Sequence, residues 1–535
     1  MRRMIVGLAL VGLAGSLAAA EWGQAPNGEF WNGHSKRFIY APAFEFGKVA
    51  GAAKYSVEVT DDYHRELRFE TDVPTVSLEP VWAKLPVGYV TVSVRGIGAD
   101  GRLLGEAGRR TFWKKAAFTG KYEPAKRTYA LARNKVFDYV LGLPQMRYLL
   151  EHGRPDPSYP LNGYPSKMMS ALIQSLVSYS KALDANSNND GPRAEAIAIA
   201  RKAADFLLAE AVPVGQPLEH FTRTYAREGS EYGRFKGEQD TIMLIYPATA
   251  GGAFLALHRA IGEAKYKTAA ERIAETYVKL QGEDGTWFLK QNAVTGKEVV
   301  PNRLVPHDVM MFLEQVYAAT GREEFRTAAD RAFAYLEKGP MTDWNWEGQF
   351  EDVRPVRERW ANLTKHSACS TAMYLLKRFP DDVRRLAQAE ALIKFSEDQF
   401  VEWEPPYDHG RHADGNGADD RSWTYFCRPY SSWMTPCALE QYRCYYPIDA
   451  SAAKLINTYL ALWRVTGRPD YLAKARALGD TATRMQEDDG FICTWWMRNV
   501  DRNDNRYHTW LNCLLATARA LDNLANAEKE ERKND

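Results

Sequence analysis

Three stretches of the sequence share one local pattern, in which an aromatic residue follows a glycine by four positions. They are Gly262–Tyr266, Gly321–Phe325 and Gly467–Tyr471, and an alanine-rich, charged segment follows each of them. Two of these segments also end alike, because Asp284-Gly285 and Asp489-Gly490 both lie 18 residues after their aromatic residue. A repeat of this kind predicts one supersecondary unit that the chain uses several times.

The clearest copy of the unit runs from Asp449 to Gln486. Pro447 and Asp449 stand at its start and Gly467 closes its first half, which is the expected order of helix start and stop signals. Apolar residues occupy most sides of this first half, so it is predicted to be a buried helix. The second half, Arg468 to Gln486, is amphipathic and more charged, which indicates an exposed helix.

The same alternation of apolar and charged helices extends over most of the chain. Apolar helices are predicted to begin near Tyr164, Asp240, His307, Asn362, Asp449 and Tyr507. More charged helices occupy about 131–151, 191–211, 263–281, 322–338, 380–400 and 468–487. Six helices of each kind predict an inner ring within an outer ring over residues 124–527. This mainly α arrangement resembles the (α/α)6 barrel of six-hairpin glycosidases and related polysaccharide lyases, a resemblance that implies a fold rather than a reaction.

The N-terminal 117 residues differ from the rest in pattern. Residues 1–20 contain two arginines, an apolar run and a final Ala-Ala-Ala, which predicts a secretory signal peptide and a secreted or periplasmic protein. Residues 36–117 alternate apolar with polar residues in short runs, as a small β-sandwich does. The stretch Val49–Val57, together with Trp82 and Leu85–Tyr89, resembles a fibronectin type III module.

Residues at the starts of the inner helices are the candidates for chemistry, because parallel inner helices bring their N-termini to one mouth. Acids, histidines and a tyrosine there suit proton transfer. The candidate catalytic residues at these starts are Asp240, Asp308, Asp449, His307, His366, His508 and Tyr446. Asp352 is a further candidate, because it follows a tryptophan-rich loop and is not an evident helix cap. Asp240, Asp308, Asn362 and Asp449 also stand where helix N-caps stand, and capping alone explains such residues.

Tryptophans in loops of the C-terminal half suggest a sugar-binding cleft, since exposed indoles pack on pyranose rings. The candidate substrate-binding residues are Trp344, Trp346, Trp423, Trp433, Trp495, Trp496, Arg421, Glu440 and Tyr507. Packing in the core is the competing explanation for the indoles.

Glycoside hydrolysis is the leading hypothesis for the reaction, because it needs a carboxylic acid and a carboxylate or activated water across the scissile bond. The alternatives are β-elimination by a polysaccharide lyase with a Tyr or His base, and a non-catalytic glycan-binding protein. The expected partner is a poly- or oligosaccharide that contains uronic acid. A net charge of +1 argues against nucleic-acid binding, no membrane span is expected after signal cleavage, and neither a metal nor another cofactor is expected. His409, His412 and Asp414 have metal-ligand spacing, which a solvated loop explains equally well.

Overall fold

The computed structural model of the 535-residue chain describes residues 35, 37–183, 190–227, 237–351, 355, 358–405, 432–442, 444–498 and 510–534. The chain divides into two compact units, Met1–Ala117 and Phe118–Asp535. Within the described ranges, none of the helices has both the length and the apolar character needed to cross a membrane.

The first unit is a small two-layer β structure. Its elements are β1 (Arg37–Phe38), β2 (Ala43–Glu45), β3 (Ala52–Asp61), β4 (Glu66–Thr71), β5 (Thr75–Ser77), α1 (Glu79–Trp82), β6 (Gly88–Gly98) and β7 (Leu103–Lys114). One sheet has the order β1-β7-β6-β3-β4, and β2 pairs with β5 in a second sheet. The Phe44 ring of β2 packs against Phe38 and Phe112 of the larger sheet, so aromatic contacts join the two layers. The likeness to a fibronectin type III module stays a prediction.

The second unit is built mainly from helices. In chain order they are α2 (Tyr129–Leu141), α3 (Pro144–His152), α4 (Pro165–Leu183), α5 (Asp190–Ala209), α6 (Tyr246–Ile261), α7 (Ala264–Leu280), α8 (His307–Thr320), α9 (Glu323–Lys338), α10 (Pro340–Asp343), α11 (Lys365–Arg378), α12 (Val383–Phe400), α13 (Asp449–Thr466), α14 (Pro469–Met485) and α15 (Leu511–Asn534). Short strands connect some of them: β8 (Thr241–Met243), β9 (Lys290–Asn292), β10 (Val401–Glu402), β11 (Cys437–Gln441) and β12 (Cys444–Pro447).

Six of these helices close into a ring. Helices α4, α6, α8, α11, α13 and α15 contact one another in that order, and α15 returns to contact α4. The outer helices α5, α7, α9, α12 and α14 each pack on the inner helix that precedes them, and α2 packs on α15. The unit is therefore an (α/α)6 barrel, which confirms the fold class. The inner helix α6 begins six residues later than Asp240, because β8 intervenes.

The glycine–aromatic repeat has a direct structural cause. Gly262, Gly321 and Gly467 end α6, α8 and α13 with positive φ angles of 77°, 71° and 68°, which glycine adopts without steric cost. The aromatic residue four positions later then lies in the first turn of the outer helix. Tyr266 stacks on Phe254 of the inner helix, and the repeat is thus the corner of a helical hairpin.

The shared ends of the repeat join neighbouring outer helices. The Gln281 amide donates to the carbonyl of Ala328 in α9 at 2.9 Å, and the Gln486 amide donates to Ala132 in α2 at 2.8 Å. Gly285 and Gly490 follow, both with positive φ. A Cβ at either glycine would lie within 2.3 Å of a backbone oxygen of the neighbouring helix, so only glycine allows this close approach.

Candidate active site

A cavity of about 600 Å³ opens among the starts of the inner helices. Each of the six contributes a lining residue from its first turn: Lys167, Tyr246, His307, His366, Ala450 and Asn512. The six N-termini therefore face one space, where their free N–H groups and helix dipoles favour negative charge. This common mouth is the arrangement that the alternation of helices predicts.

Three of the candidate catalytic residues meet at this mouth and form what we call the histidine cluster: His307, Asp308 and His366. The Nε2 atom of His307 lies 3.2 Å from Oδ2 of Asp308, and the two imidazole rings lie 5.5 Å apart, centroid to centroid. Thr364, the N-cap of α11, accepts from the backbone N–H of His366 and so fixes the start of that helix. Helix starts thus hold all three side chains in place.

Each ring nitrogen of His307 lies next to one polar neighbour. Its Nδ1 lies 3.2 Å from the Val305 carbonyl oxygen, and its Nε2 faces the Asp308 carboxylate without forming an aligned hydrogen bond. Both neighbours are hydrogen-bond acceptors, so each ring nitrogen of His307 faces a group to which an N–H can donate.

The pKa values of Asp308 and His366 are both lowered, for different reasons. Burial alone would raise the pKa of Asp308, but His307, His366 and Lys454 outweigh it and hold this pKa below its ordinary value. Burial, reinforced by Lys454, lowers the pKa of His366 well below the ordinary histidine value. At neutral pH the cluster therefore contains a carboxylate at Asp308 and a neutral imidazole at His366, a base next to a potential acid.

The histidine cluster also has the donor set of a divalent-cation site. One ligand atom from each of its three residues lies within 4.8 Å of the others. However, the ammonium groups of Lys454 and Lys365 act on the same residues. Two positive charges so close oppose a metal ion, and acid–base chemistry suits the cluster better.

Lysines surround the cluster and are held by specific partners. Lys365 Nζ donates to the Glu440 carbonyl oxygen at 2.7 Å and to Ser451 Oγ at 2.5 Å. Lys454 Nζ donates to Ser370 Oγ at 2.9 Å. The groups that accept these hydrogen bonds beside the cavity are a carbonyl and two hydroxyl oxygens, which are neutral.

Lys167 differs because it has a buried carboxylate partner. Its Nζ lies 2.5 Å from Oε1 of Glu351, and the Tyr246 hydroxyl donates to the other carboxylate oxygen. Burial by itself would raise the pKa of Glu351, but Lys167 and Tyr246 lower it. The Trp510 ring lies 5.8 Å from Lys167 Nζ and lines the cavity, where its face could pack on a sugar.

Asp449 is placed differently from the other candidate acids. It is the first residue of α13, fully buried, and its Oδ1 accepts from the Ala450 N–H at 2.7 Å. Burial raises its pKa well above the ordinary value of an aspartate. Its neighbours Ile448 and Ala450 line the cavity, whereas Asp449 lies behind them.

The remaining catalytic candidates are dispersed or lie outside the described residues. Asp240 precedes β8, and its half-exposed carboxylate pairs with Arg223 at 3.5 Å, away from the cavity lining. Tyr446 is buried against Trp495 and Trp433. Asp352 and His508 lie outside the described residues, as do His409, His412 and Asp414.

Capping does not account for the acids at these positions, contrary to the sequence-based alternative. The N-caps of α6, α8, α11 and α13 are Ile245, Pro306, Thr364 and Ile448. Asp308 and Asp449 lie one or two residues inside their helices, and Asp240 and Asn362 lie before them. Asn362 instead donates to Gln441 and to the Gly348 carbonyl.

The prediction of exposed tryptophans is wrong for the described residues. Trp346 and Trp496 have no exposed surface, and Trp344, Trp433 and Trp495 are at most 9% exposed. They pack in the layer of loops at the end of the barrel. There the rings contact other aromatic side chains, as Trp344 contacts Phe395, and are not exposed to bind a sugar. Of the predicted substrate-binding residues, Glu440 lines the cavity. Trp423, Arg421 and Tyr507 lie outside the described residues.

Several residues that the sequence analysis did not select also line the cavity. They are Gln174, Lys454, Asn457, Trp510, Arg519 and Asn523. All except Trp510 interrupt otherwise apolar inner helices about one to three turns after the start. A polar residue within an apolar inner helix can therefore indicate a cavity-lining position. Which side of the helix faces the cavity, however, can be assigned only once the arrangement of the six helices is known.

Comparison with known proteins gives a likeness of fold. No protein-family model and no curated protein matches the chain. Among solved structures, D-mannose isomerase is 12% identical and covers 75% of this chain and 97% of its own, with a TM-score of 0.50. A family 76 glycoside hydrolase from Bacteroides thetaiotaomicron is 12% identical over 75% of this chain and 99% of its own, at 0.49. An unsaturated glucuronyl hydrolase specific for heparin is 10% identical over 75% and 98%, at 0.44. The likeness shows the fold alone.

Proposed function

We propose that the protein is a carbohydrate-active enzyme that cleaves glycosidic bonds in a uronic-acid-containing poly- or oligosaccharide, and that the barrel cavity is its active site. The observation that carries the proposal is the histidine cluster at the mouth of six helices, where a neutral imidazole lies beside an imidazole–carboxylate pair. Solved structures of similar fold include sugar isomerases and glycoside hydrolases, which is consistent with a sugar substrate.

The charge of the cavity supports an anionic sugar. Its lining includes four cationic side chains, Lys167, Lys365, Lys454 and Arg519, against the carboxylates of Asp308 and Glu440. The six helix N-termini add further positive potential. A uronate carboxylate would be attracted by this field, whereas a neutral sugar would gain little from it.

The arrangement of the cluster favours β-elimination over hydrolysis. In that reaction His366 takes the proton from the carbon that bears the carboxylate, and the electron pair forms a carbon–carbon double bond as the glycosidic C–O bond breaks. His307 gives its proton to the leaving oxygen, so no water is consumed. The rings of the two histidines lie 5.5 Å apart, which lets one sugar ring meet both the base and the acid.

Hydrolysis is the second candidate, and one observation favours it. Asp308 is held as a carboxylate, with the Glu440 carboxyl group in the same cavity, so the site has the two acidic residues that glycosidases use. In hydrolysis, Asp308 or His366 takes a proton from water, and the water oxygen attacks the anomeric carbon. The glycosidic C–O bond breaks as His307 protonates the leaving oxygen.

One assay distinguishes the candidates. The protein is incubated with uronate-containing glycans while ultraviolet absorbance and reducing ends are followed. An absorbance rise from a conjugated unsaturated uronate identifies elimination, and new reducing ends without that rise identify hydrolysis. Binding without either product identifies a glycan-binding protein and overturns the proposal.

Two variants connect the activity to the cavity. His366→Asn should lower kcat by about 10²- to 10⁴-fold, the usual contribution of a positioned base. Asp240→Asn, which alters an acid away from the cavity, should leave kcat unchanged. Equal activity in the wild type and His366→Asn would remove the histidine cluster from the reaction.

The N-terminal sequence leads us to propose that the protein is exported. The basic Met1–Arg3 segment, the apolar run and Ala18–Ala20 support cleavage after Ala20. Expression of the full chain in a Gram-negative host, followed by fractionation and N-terminal sequencing, should give a mature protein that begins at Glu21. An intact N-terminus in the cytoplasmic fraction would contradict this proposal.

A further inference from the structure

Arg519 is a cation deep in the barrel, and none of the described residues gives it an acidic partner. It lies eight residues after the start of α15, which places it about 12 Å along the barrel axis from the mouth. Its Nη1 donates to Oε1 of Gln174, 2.7 Å away on α4. In the part of the chain that the structure describes, no carboxylate pairs with Arg519, although its guanidinium has five N–H donors. The desolvation lowers its pKa to about 10.

Lys454 brings a second positive charge to the same region. It lies five residues after the start of α13 and lines the same cavity as Arg519. Burial lowers the pKa of Lys454, Asp308 opposes this shift, and Arg519 adds to it. The two cations therefore repel each other across the cavity. Like charges held together in this way are costly unless an anion lies between them.

The other two cations of the cavity are already engaged. Lys167 pairs with Glu351, and Lys365 donates to the Glu440 carbonyl and Ser451. Among the residues that the structure describes, Lys454 hydrogen-bonds to Ser370 and Arg519 to Gln174, and both partners are neutral. Most of their donors therefore remain available to a ligand.

We propose that Lys454 and Arg519 form the subsite for the acid group, a carboxylate or a sulfate, of the sugar that enters this cavity. The inference rests on the proposed function only in taking the ligand to be a sugar. Gln174 orients the guanidinium. Asn457 and Asn523, joined by a 2.8 Å hydrogen bond near the same depth, supply amide groups for sugar hydroxyls.

Calorimetric titration of the full-length protein tests the subsite. The probes are D-glucuronate, a sulfated glucose and D-glucose, which differ in the acid group. At least one charged sugar should bind ten times more tightly than glucose, and the one that does identifies the acid group. Arg519→Gln should reduce that preference at least tenfold, and Arg519→Lys should keep part of it. Equal affinity of all three sugars for the wild type, or an unchanged preference in Arg519→Gln, would overturn the proposal.

Stability provides a readout that separates a binding role from a structural one. Because Arg519→Gln removes one of two repelling cations, its melting temperature without ligand should equal or exceed that of the wild type. A large fall would mean that Arg519 holds the barrel together, which would overturn the assignment. Arg326→Gln, on the exposed face of α9, is the matched control and should change neither the preference nor the melting temperature.

His366→Asn separates this inference from the proposed reaction. It should lose cleavage and keep the preference for the charged sugar. If the wild type cleaves no glycan but prefers the charged sugar through Arg519, the subsite stands and the proposed cleavage fails. If it cleaves glycans without that preference, the subsite fails and the cleavage stands.

Discussion

The pKa of His366 measures the electrostatic field at the centre of the cavity, because two neighbours of opposite charge act on it. Burial and the Lys454 ammonium lower this pKa, whereas the Asp308 carboxylate raises it. Lys454→Met should therefore raise the pKa of His366, and Asp308→Asn should lower it further. Opposite shifts would exclude a general loosening of the barrel, which would move both values toward that of free histidine.

The structure sets the size of the expected shift. Lys454 lies five residues into α13 and His366 one residue into α11, so their levels differ by about 6 Å along the barrel axis. Unit charges about 8 Å apart interact by about 2 kcal/mol at an effective dielectric constant of about 20. This energy corresponds to about 1.5 pKa units. Asp308 has a carboxylate oxygen within 4.8 Å of a His366 ring nitrogen, so its removal should shift the pKa at least as far.

The measurement is an NMR titration of protein labelled at the histidine rings. His366→Asn identifies the His366 signal among those of the ten histidines. Lys338→Met, at the exposed end of α9, removes a distant lysine and should leave the titration unchanged. A wild-type pKa near the ordinary value of about 6.5, or shifts of the same sign in both cavity variants, would refute the reasoning.

Three further predictions test the barrel and its site. Gly490→Ala forces a positive φ on alanine and places its Cβ 1.9 Å from the Lys135 carbonyl oxygen. It should lower the melting temperature more than Gly467→Ala, where nothing lies within 4 Å and the strain alone costs about 1–2 kcal/mol; equal losses would contradict the close approach. Lys167→Met leaves the buried Glu351 carboxylate without its cation and should cost about 3–5 kcal/mol of unfolding free energy. The double variant Lys167→Met/Glu351→Gln should regain part of that unfolding free energy in denaturant titrations. A double variant no more stable than Lys167→Met would argue against the ion pair. Dialysis against EDTA should change neither activity nor melting temperature, because two lysines act on the histidine cluster; a loss that Zn²⁺ or Mn²⁺ reverses would show that the cluster binds metal.

Helix starts explain why part of the site could be found from the sequence. His307 and His366 follow local stop-and-start signals, and such signals depend on a few neighbouring residues. Once six apolar helices are placed in a ring, residues at their starts must converge. The convergence of His307, Asp308 and His366 could therefore be predicted from the sequence.

The indoles show where the same reasoning fails. Trp346, Trp433 and Trp496 lie in segments between helices, and composition alone suggested that loops of this kind are exposed. In the structure these segments fold over the end of the barrel and bury their aromatic rings. Burial depends on what packs above a residue, and a one-dimensional pattern carries no information about that contact.

The sequence by itself determined the alternation of buried and exposed helices, their approximate starts, and the corners that glycine and aromatic residues build between them. These features arise from interactions over four or five residues, which a pattern records. Only the tertiary structure decided that Gln174 hydrogen-bonds to Arg519 and that Lys454 lies near Arg519 and the histidine cluster. It also decided that Asp449 is buried behind the residues that line the cavity. Such pairs are as many as 345 residues apart, and their meeting depends on the rotation and depth of separate helices in a closed ring.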